Sequence, residues 1–249
     1  MAIHPLAQRF ASVAEAYERG RPEYAPAVVG ALAAELRLGR GDSVLDLAAG
    51  TGKLSRALLA AGLAVVAVEP LGSLREILAE RIGGDRVREG VAEAIPLPDA
   101  SVDGVTVADA FHWFDRTQAL AEIRRVLRPG GGLAIVMVVP DWAGASWAHE
   151  LGTLVQRSRP EHPHFDGPPW QEAVRAAGGW TEPHEIRVTT SHPVRAEQVI
   201  DHLASMSWIA AMTDRERDAT LSEFRSVIEG GETPAELPVH FVIGLTALV

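Results

Sequence analysis

The sequence predicts an α/β protein built on a doubly wound, seven-stranded, mostly parallel sheet. Three observations carry this. Between residues 42 and 139, short β-branched runs alternate with longer stretches whose apolar residues recur every three or four positions. The strand-like runs in that span are apolar on both faces, as strands of a covered parallel sheet are. The chain then closes on two long strand-like runs with no crossover pattern suited to a parallel partner, which predicts an antiparallel edge pair.

Each element follows in order. Two helical stretches come first, around residues 5–18 and 25–38, joined by "GRPEYAP", whose glycine and prolines break the helix and leave a flap. Strands are predicted at "SVLDLA" (43–48), "AVVAVE" (64–69), "VDGVTVA" (102–108) and "LAIVMVV" (133–139), with a weaker one at "DRVREG" (85–90). Helices fall between them, at 52–62, 71–83 and 116–131, each ending at glycine or proline. The last two strands are 185–194 and 239–249. Helical segments 195–212 and 214–230 are inserted between them. No internal repeat or low-complexity linker divides the 249 residues, so the chain reads as one domain.

Composition narrows the function. The chain is 47% hydrophobic and 22% charged, ordinary for a globular protein with a large core. It contains no cysteine, which excludes disulfides, thiolate metal sites and thiol nucleophiles. With 33 acidic against 23 basic residues, and the basic ones scattered, the surface opposes nucleic-acid binding and points to a small-molecule partner. No apolar run approaches the ~20 residues that cross a bilayer, and the N-terminal stretch lacks the order of a secretory signal. The expected setting is cytoplasmic, without membrane attachment. No stretch specifies an oligomeric state.

The chemistry gathers at "VLDLAAGTGKLS", which puts Asp46 at the end of a strand and Gly50 and Gly52 in the turn entering a helix. Glycine allows positive φ and close approach of a ligand. A phosphate-cradling loop is excluded, because Leu47 and Leu54 stand where a glycine and a hydroxyl residue would be required. A dinucleotide fingerprint read from Gly50 meets Ser55 at its last position. The reading that fits best takes Asp46 as a partner for an amino-acid ammonium group. Glu69, about 20 residues on at the end of the next strand, then takes a ribose diol.

These blocks resemble the class I S-adenosylmethionine-dependent methyltransferases, type-11 domains in particular, over residues 42–139. In the acid-and-glycines pattern Ala48 replaces the first glycine, and Gly50 and Gly52 hold the other two places. The resemblance implies a Rossmann-like cofactor-binding core at 42–139, a helical flap at 1–41, and a substrate lid with the C-terminal strands at 140–249. It also implies S-adenosylmethionine as methyl donor, S-adenosylhomocysteine as product, and no metal. Glu69 and Pro70 look like the ribose-binding pair, and Ala92 and Glu93 would lie beside the adenine.

"ADAFHWFD" (108–115) follows the fourth strand and resembles the Phe-His-Trp-Phe run of a subgroup that includes proteins similar to trans-aconitate methyltransferase. Asp109 stands where that subgroup tends to carry glutamine. Its N-terminal pattern is matched by Tyr17, Arg21, Pro22 and Tyr24. By that likeness Tyr17, Arg21, Asp109, Ala110 and Trp113 are cofactor contacts. A sulfonium cation suits aromatic faces and nearby carboxylates, and Arg21 suits the cofactor's carboxylate.

Phe111 and Phe114 read as core. His112 is either a hydrogen-bonded structural histidine or a general base whose ordinary pKa, roughly 6.5, suits neutral-pH work. Tyr24, His112, Trp142, Trp208 and Met212 are the candidate acceptor contacts, while Met206 and Trp147 read equally as buried stripe. His162 and His164 lack a third metal ligand at a recognisable spacing and read as loop residues. Arg157 and Arg159 could meet an acidic acceptor, solvated arginine being the plainer reading.

The expected reaction is in-line methyl transfer to a small molecule, with oxygen favoured over nitrogen or carbon. A nicotinamide-dependent oxidoreductase on the same sheet, and a cofactor-binding module without turnover, stand as alternatives.

Overall fold

The computed structural model of the protein describes residues 3–249. Seven strands form one sheet in the order β3-β2-β1-β4-β5-β7-β6. β1 (Ser43–Leu47), β2 (Ala64–Val68), β3 (Val87–Arg88), β4 (Val102–Ala108) and β5 (Leu127–Pro140) run parallel. β7 (Glu236–Ala247) inserts antiparallel between β5 and β6 (His184–Pro193). The mostly parallel sheet with its antiparallel pair is therefore present as the sequence predicts.

The order reverses between β1 and β4, so the segments leaving their carboxyl ends diverge and open a crevice there. Burial explains the strand sequences. Val44, Leu45, Val105, Val107 and Leu133 are each fully buried between helices on the two faces.

The helices are α1 (Pro5–Gln8), α2 (Ala14–Gly20), α3 (Pro26–Glu35), α4 (Lys53–Ala60), α5 (Gly72–Ile82) and α6 (Arg116–Val126). They continue with α7 (His149–Ser158), α8 (Pro163–Asp166), α9 (Trp170–Ala177), α10 (Ala196–Ala204), α11 (Ser207–Ala210) and α12 (Asp214–Gly230). Above the sheet's carboxyl edge, α7, α10, α11 and α12 bury Leu151, Val155, Leu203, Ile209 and Phe224 against one another, giving the lid its own core. α2 packs against α10, and Arg19 grips Asp201 through two hydrogen bonds of 2.7 and 3.1 Å.

Several elements differ from expectation. The first helix is broken at Val13, whose φ of −126° interrupts the turn between a 3-10 segment and α2. α6 stops at Val126, where Leu127 turns to extended backbone (φ −70°, ψ 138°) two residues ahead of Pro129 and the chain joins β5. The segment 195–212 is two helices, split at Ser205 and Met206. The Ser205 hydroxyl turns back onto the His202 carbonyl at 2.7 Å, competing with the helix ladder. α7 and α9 lie where no helix is predicted. Their apolar residues are few, but Leu151, Val155 and Val174 reach cores already formed by other elements.

Candidate functional site

A cavity of about 260 Å3 opens over the carboxyl ends of β1, β2 and β4, roofed by the flap and the lid. Its floor begins with the turn after β1. Gly52 caps α4 at φ +87°, and a Cβ there would come within 2.6 Å of Leu78, so glycine is needed for backbone shape and for helix packing. At Gly50 an added Cβ would meet only the Tyr17 ring, at 3.9 Å, so this backbone faces open space beside Tyr17. Ala48 takes φ +57°, a left-handed conformation that glycine adopts at lower cost.

Two acids brace the turn. Glu69, nearly fully buried, accepts the N–H of Gly50 at 2.8 Å and that of Leu71 at 2.9 Å. Burial raises its pKa to about 7, against the pull of those N–H donors and of Arg75. Asp46 accepts from the Ser55 hydroxyl at 2.5 Å and from Thr106 at 3.1 Å. Burial raises it to about 6. Asp46 and Tyr24 line a small annex behind the main cavity, with Tyr17, Arg21 and Asp109 shared between the two spaces.

β4 delivers the second half of the floor. Asp109 has φ +49°, donates its N–H to Val136 and accepts the N–H of Val138 at 2.9 Å, so both its backbone and its carboxylate are fixed to β5. Burial raises its carboxyl, while Arg21 and His164 oppose the shift. Arg21 leaves α2, lies 5.2 Å from the Tyr17 ring centre and donates to the Ser205 hydroxyl at 2.9 Å. The flap is thus joined to the lid directly above Asp109.

The 3-10 turn Phe111–Trp113 then sets the aromatic cluster. Phe111 is buried in the core, with Phe114 packed against it at 5.8 Å, as the sequence predicts. His112 and Trp113 line the cavity. His112 Nδ1 faces His164 Nδ1 at 3.4 Å, and the His112 and His162 ring centres are 5.8 Å apart. Sequence reading left His162 and His164 as loop residues, yet both line the cavity, with His162 almost fully buried. His162 Nδ1 accepts the His164 N–H at 3.2 Å, so its Nε2 carries the proton and donates to Ser207 at 2.8 Å.

Burial, with cationic neighbours, lowers His112 to about 2 and His162 to about 4. Both are neutral at physiological pH. Among the described residues no group of three or more His, Asp or Glu side chains is arranged to hold a metal.

Of the other expected contacts, Pro70, Ala92, Glu93, Ala110, Trp142 and Trp208 line the cavity. Four expected contacts do not line it, Asp46 and Tyr24 facing only the annex. Gly52 sits behind the turn against Leu78, and Met212 packs into the lid's core with its sulfur 3.6 Å from the Thr220 hydroxyl. The residues present fit a nucleoside-linked amino acid: Gly50 leaves room that a Cβ would fill, and buried carboxylates stand ready at Glu69 and Asp46.

A doubly wound sheet of this order, with an acid-glycine turn and an acid at the end of β2, defines a class I methyltransferase fold. The methyltransferase domain family matches residues 45–135. An uncharacterised methyltransferase of Mycobacterium tuberculosis is 38% identical over 221 residues, spanning 88% of this chain and 85% of the relative. One of Schizosaccharomyces pombe is 30% identical over 219 residues, spanning 86% and 84%. Among solved structures, a protein described as a type II methyltransferase from Anaeromyxobacter dehalogenans superposes with a TM-score of 0.64 at 26% identity, over 91% of this chain and 97% of that one. The chain belongs to this methyltransferase family.

Proposed function

We propose that this methyltransferase carries the methyl group of S-adenosylmethionine to an oxygen atom of a small-molecule acceptor. The observation that carries the reading is the continuity of one cavity. It runs from the braced turn at Gly50 and Glu69 to the His112 cluster under the lid, which supports a donor and an acceptor bound side by side. When bound, the sulfonium donor supplies an already activated methyl group.

The chain's own residues then bind, orient and exclude water, and alignment of this kind is worth roughly 7–11 kcal/mol. Glu69 would take the ribose hydroxyls, with Pro70 beside it. Ala92 and Glu93 would flank the base. Asp46, Asp109, Tyr17 and Arg21 would hold the amino-acid end, Arg21 by charge and the acids from the annex side. Ala48, Gly50 and Gly52 would shape the turn, and Ala110 and Trp113 would close over the reacting atoms.

His112 would contact the acceptor, together with Trp142 and Trp208. Tyr24, in the annex, would act on the donor side instead. A general base must be basic enough to take a proton at working pH, and burial leaves the His112 imidazole too weakly basic for that. Its neutral imidazole is suited to orient the acceptor by a hydrogen bond, which supports an oxygen that gives no proton to the enzyme, as a carboxylate does.

The test is incubation of the protein with methyl-labelled S-adenosylmethionine and a fractionated small-molecule extract. Label in an alkali-labile ester or ether fraction is expected. Label confined to macromolecules, or on amine nitrogen, would overturn the acceptor assignment.

A further inference from the structure

The lid end of the cavity carries groups that the methyl donor does not use. Arg159 leaves the end of α7, lies 4.3 Å from the Phe165 ring centre and pairs with Asp166 at 3.0 Å through Nη1. Its Nε and Nη2 donate to no group among the described residues. Phe165 is half exposed, which puts this pair at the cavity's rim. Inward from it the rings continue without a gap: Phe165 to His162 at 5.8 Å, His162 to Trp208 at 5.5 Å, and His162 to His112 at 5.8 Å.

Two buried donors in this run lack partners. The indole N–H groups of Trp113 and Trp208 make no hydrogen bond, although Trp208 is more than nine-tenths buried. An unpaired buried donor is destabilising, a cost that a ligand oxygen would remove.

The carboxylates that line the cavity each accept backbone N–H groups. Glu69 holds Gly50 and Leu71, Glu93 accepts the Asp115 N–H at 2.8 Å, and Asp109 holds Val138 with the Arg21 guanidinium acting on its charge. The acceptor end therefore offers donors and aromatic faces, with an arginine at its mouth.

We infer that the acceptor is an aromatic acid whose carboxylate is bound by Arg159 at the rim, its ring lying among Phe165, His162 and Trp208. This rests on the reading that the donor occupies the Gly50 end. That carboxylate is a handle that stays partly hydrated at the mouth, and the oxygen that receives the methyl group belongs to a second carboxylate deeper in the cavity, toward His112, which has no proton to lose. Arg159 acts as a specificity determinant and touches no reacting atom.

The test uses the full chain saturated with S-adenosylhomocysteine. It is titrated with benzoate, phenylacetate and 3-phenylpropionate, with their neutral amides, and with benzylamine, and followed by tryptophan fluorescence and calorimetry. At least one carboxylate is expected to bind about tenfold or more tightly than its amide, the increment of a charge-assisted hydrogen bond. Arg159→Met is expected to erase that preference while leaving S-adenosylhomocysteine affinity within about twofold, and Arg159→Lys to restore part of it.

Amides or benzylamine binding as well as the acids would overturn the inference. So would an unchanged preference in Arg159→Met, or no binding of any carboxylate by a chain that holds S-adenosylhomocysteine. Should S-adenosylhomocysteine itself fail to bind, the donor assignment falls instead. The wild-type comparison of acid with amide stands even if the Met variant folds poorly.

Discussion

The carboxylate of Glu69 accepts the backbone N–H of Gly50 at 2.8 Å, so the acid at the end of β2 holds in place the glycine turn that leaves β1. One side chain both shapes the turn and presents its remaining lone pairs to the cavity. Glu69→Gln keeps the shape of the side chain but replaces one accepting oxygen with a donor that faces an N–H. We expect S-adenosylhomocysteine affinity to fall by about tenfold or more, with the fold retained. Unchanged affinity in calorimetry would remove Glu69 from the donor site.

The same group gives a pH dependence with a definite sign. Burial raises Glu69 to about 7, so acidification through neutrality protonates it, and a protonated acid is a poorer acceptor for a diol. Donor-product affinity should rise with pH between about 5.5 and 7.5 and then level off, and Glu69→Gln should flatten this rise. For the ligand-free protein the sign is reversed. The folded state binds the extra proton, so the contribution of Glu69 to stability is present at low pH and is lost as pH rises toward 7. Opposite slopes in calorimetry and in chemical denaturation check both halves.

Ala48 tests the strain in the turn. It sits at φ +57°, where an L side chain costs about 1–2 kcal/mol, partly offset in any glycine variant by the larger entropy of its unfolded chain. Ala48→Gly should stabilise the protein by about 0.5–1 kcal/mol in urea unfolding. A destabilised variant would mean that the Cβ supplies contacts worth more than the strain.

The flap should prove sensitive to one glycine. A Cβ on Gly20 would come within 2.1 Å of the His202 backbone nitrogen, so the close crossing of α2 and α10 admits no side chain there. Gly20→Ala should lift the flap from the lid, cost about 1–3 kcal/mol, and expose the chain to trypsin at Arg19. Wild-type resistance to trypsin in this variant would count against the docked flap.

His112→Ala should lower turnover roughly ten- to a hundredfold on the acceptor recovered by labelling, while S-adenosylhomocysteine affinity stays within about twofold. Because burial lowers His112 to about 2, the wild-type rate should show no inflection from this residue between pH 5.5 and 8. An inflection near 6.5 that disappears in the variant would restore the base.

Much of the fold was legible because the core strands are both apolar and β-branched. "SVLDL" and "VDGVTVA" are buried on both sides and admit few other readings. β3 was the faintest, since only Val87 and Arg88 pair with β2 and local sequence hardly marks two residues. The turn end of the cavity was legible because its acids and glycines lie within one crossover. The acceptor end was not. His162 and His164 stand about 50 positions from His112, and their meeting depends on how the lid folds over β4. The one available signal was "HPHF" between prolines, a histidine-aromatic run set in a rigid loop. Arg159 carried no signal beyond its charge, because its value depends on Phe165 lying beneath it.

The most direct test is calorimetric titration of the wild-type chain, at pH 7.5, with S-adenosylhomocysteine and in parallel with NAD. Stoichiometric binding of S-adenosylhomocysteine that weakens about tenfold or more in both Glu69→Gln and Asp46→Asn, with no heat from NAD, is the expected result. Binding of NAD, or S-adenosylhomocysteine binding indifferent to both substitutions, would contradict the account.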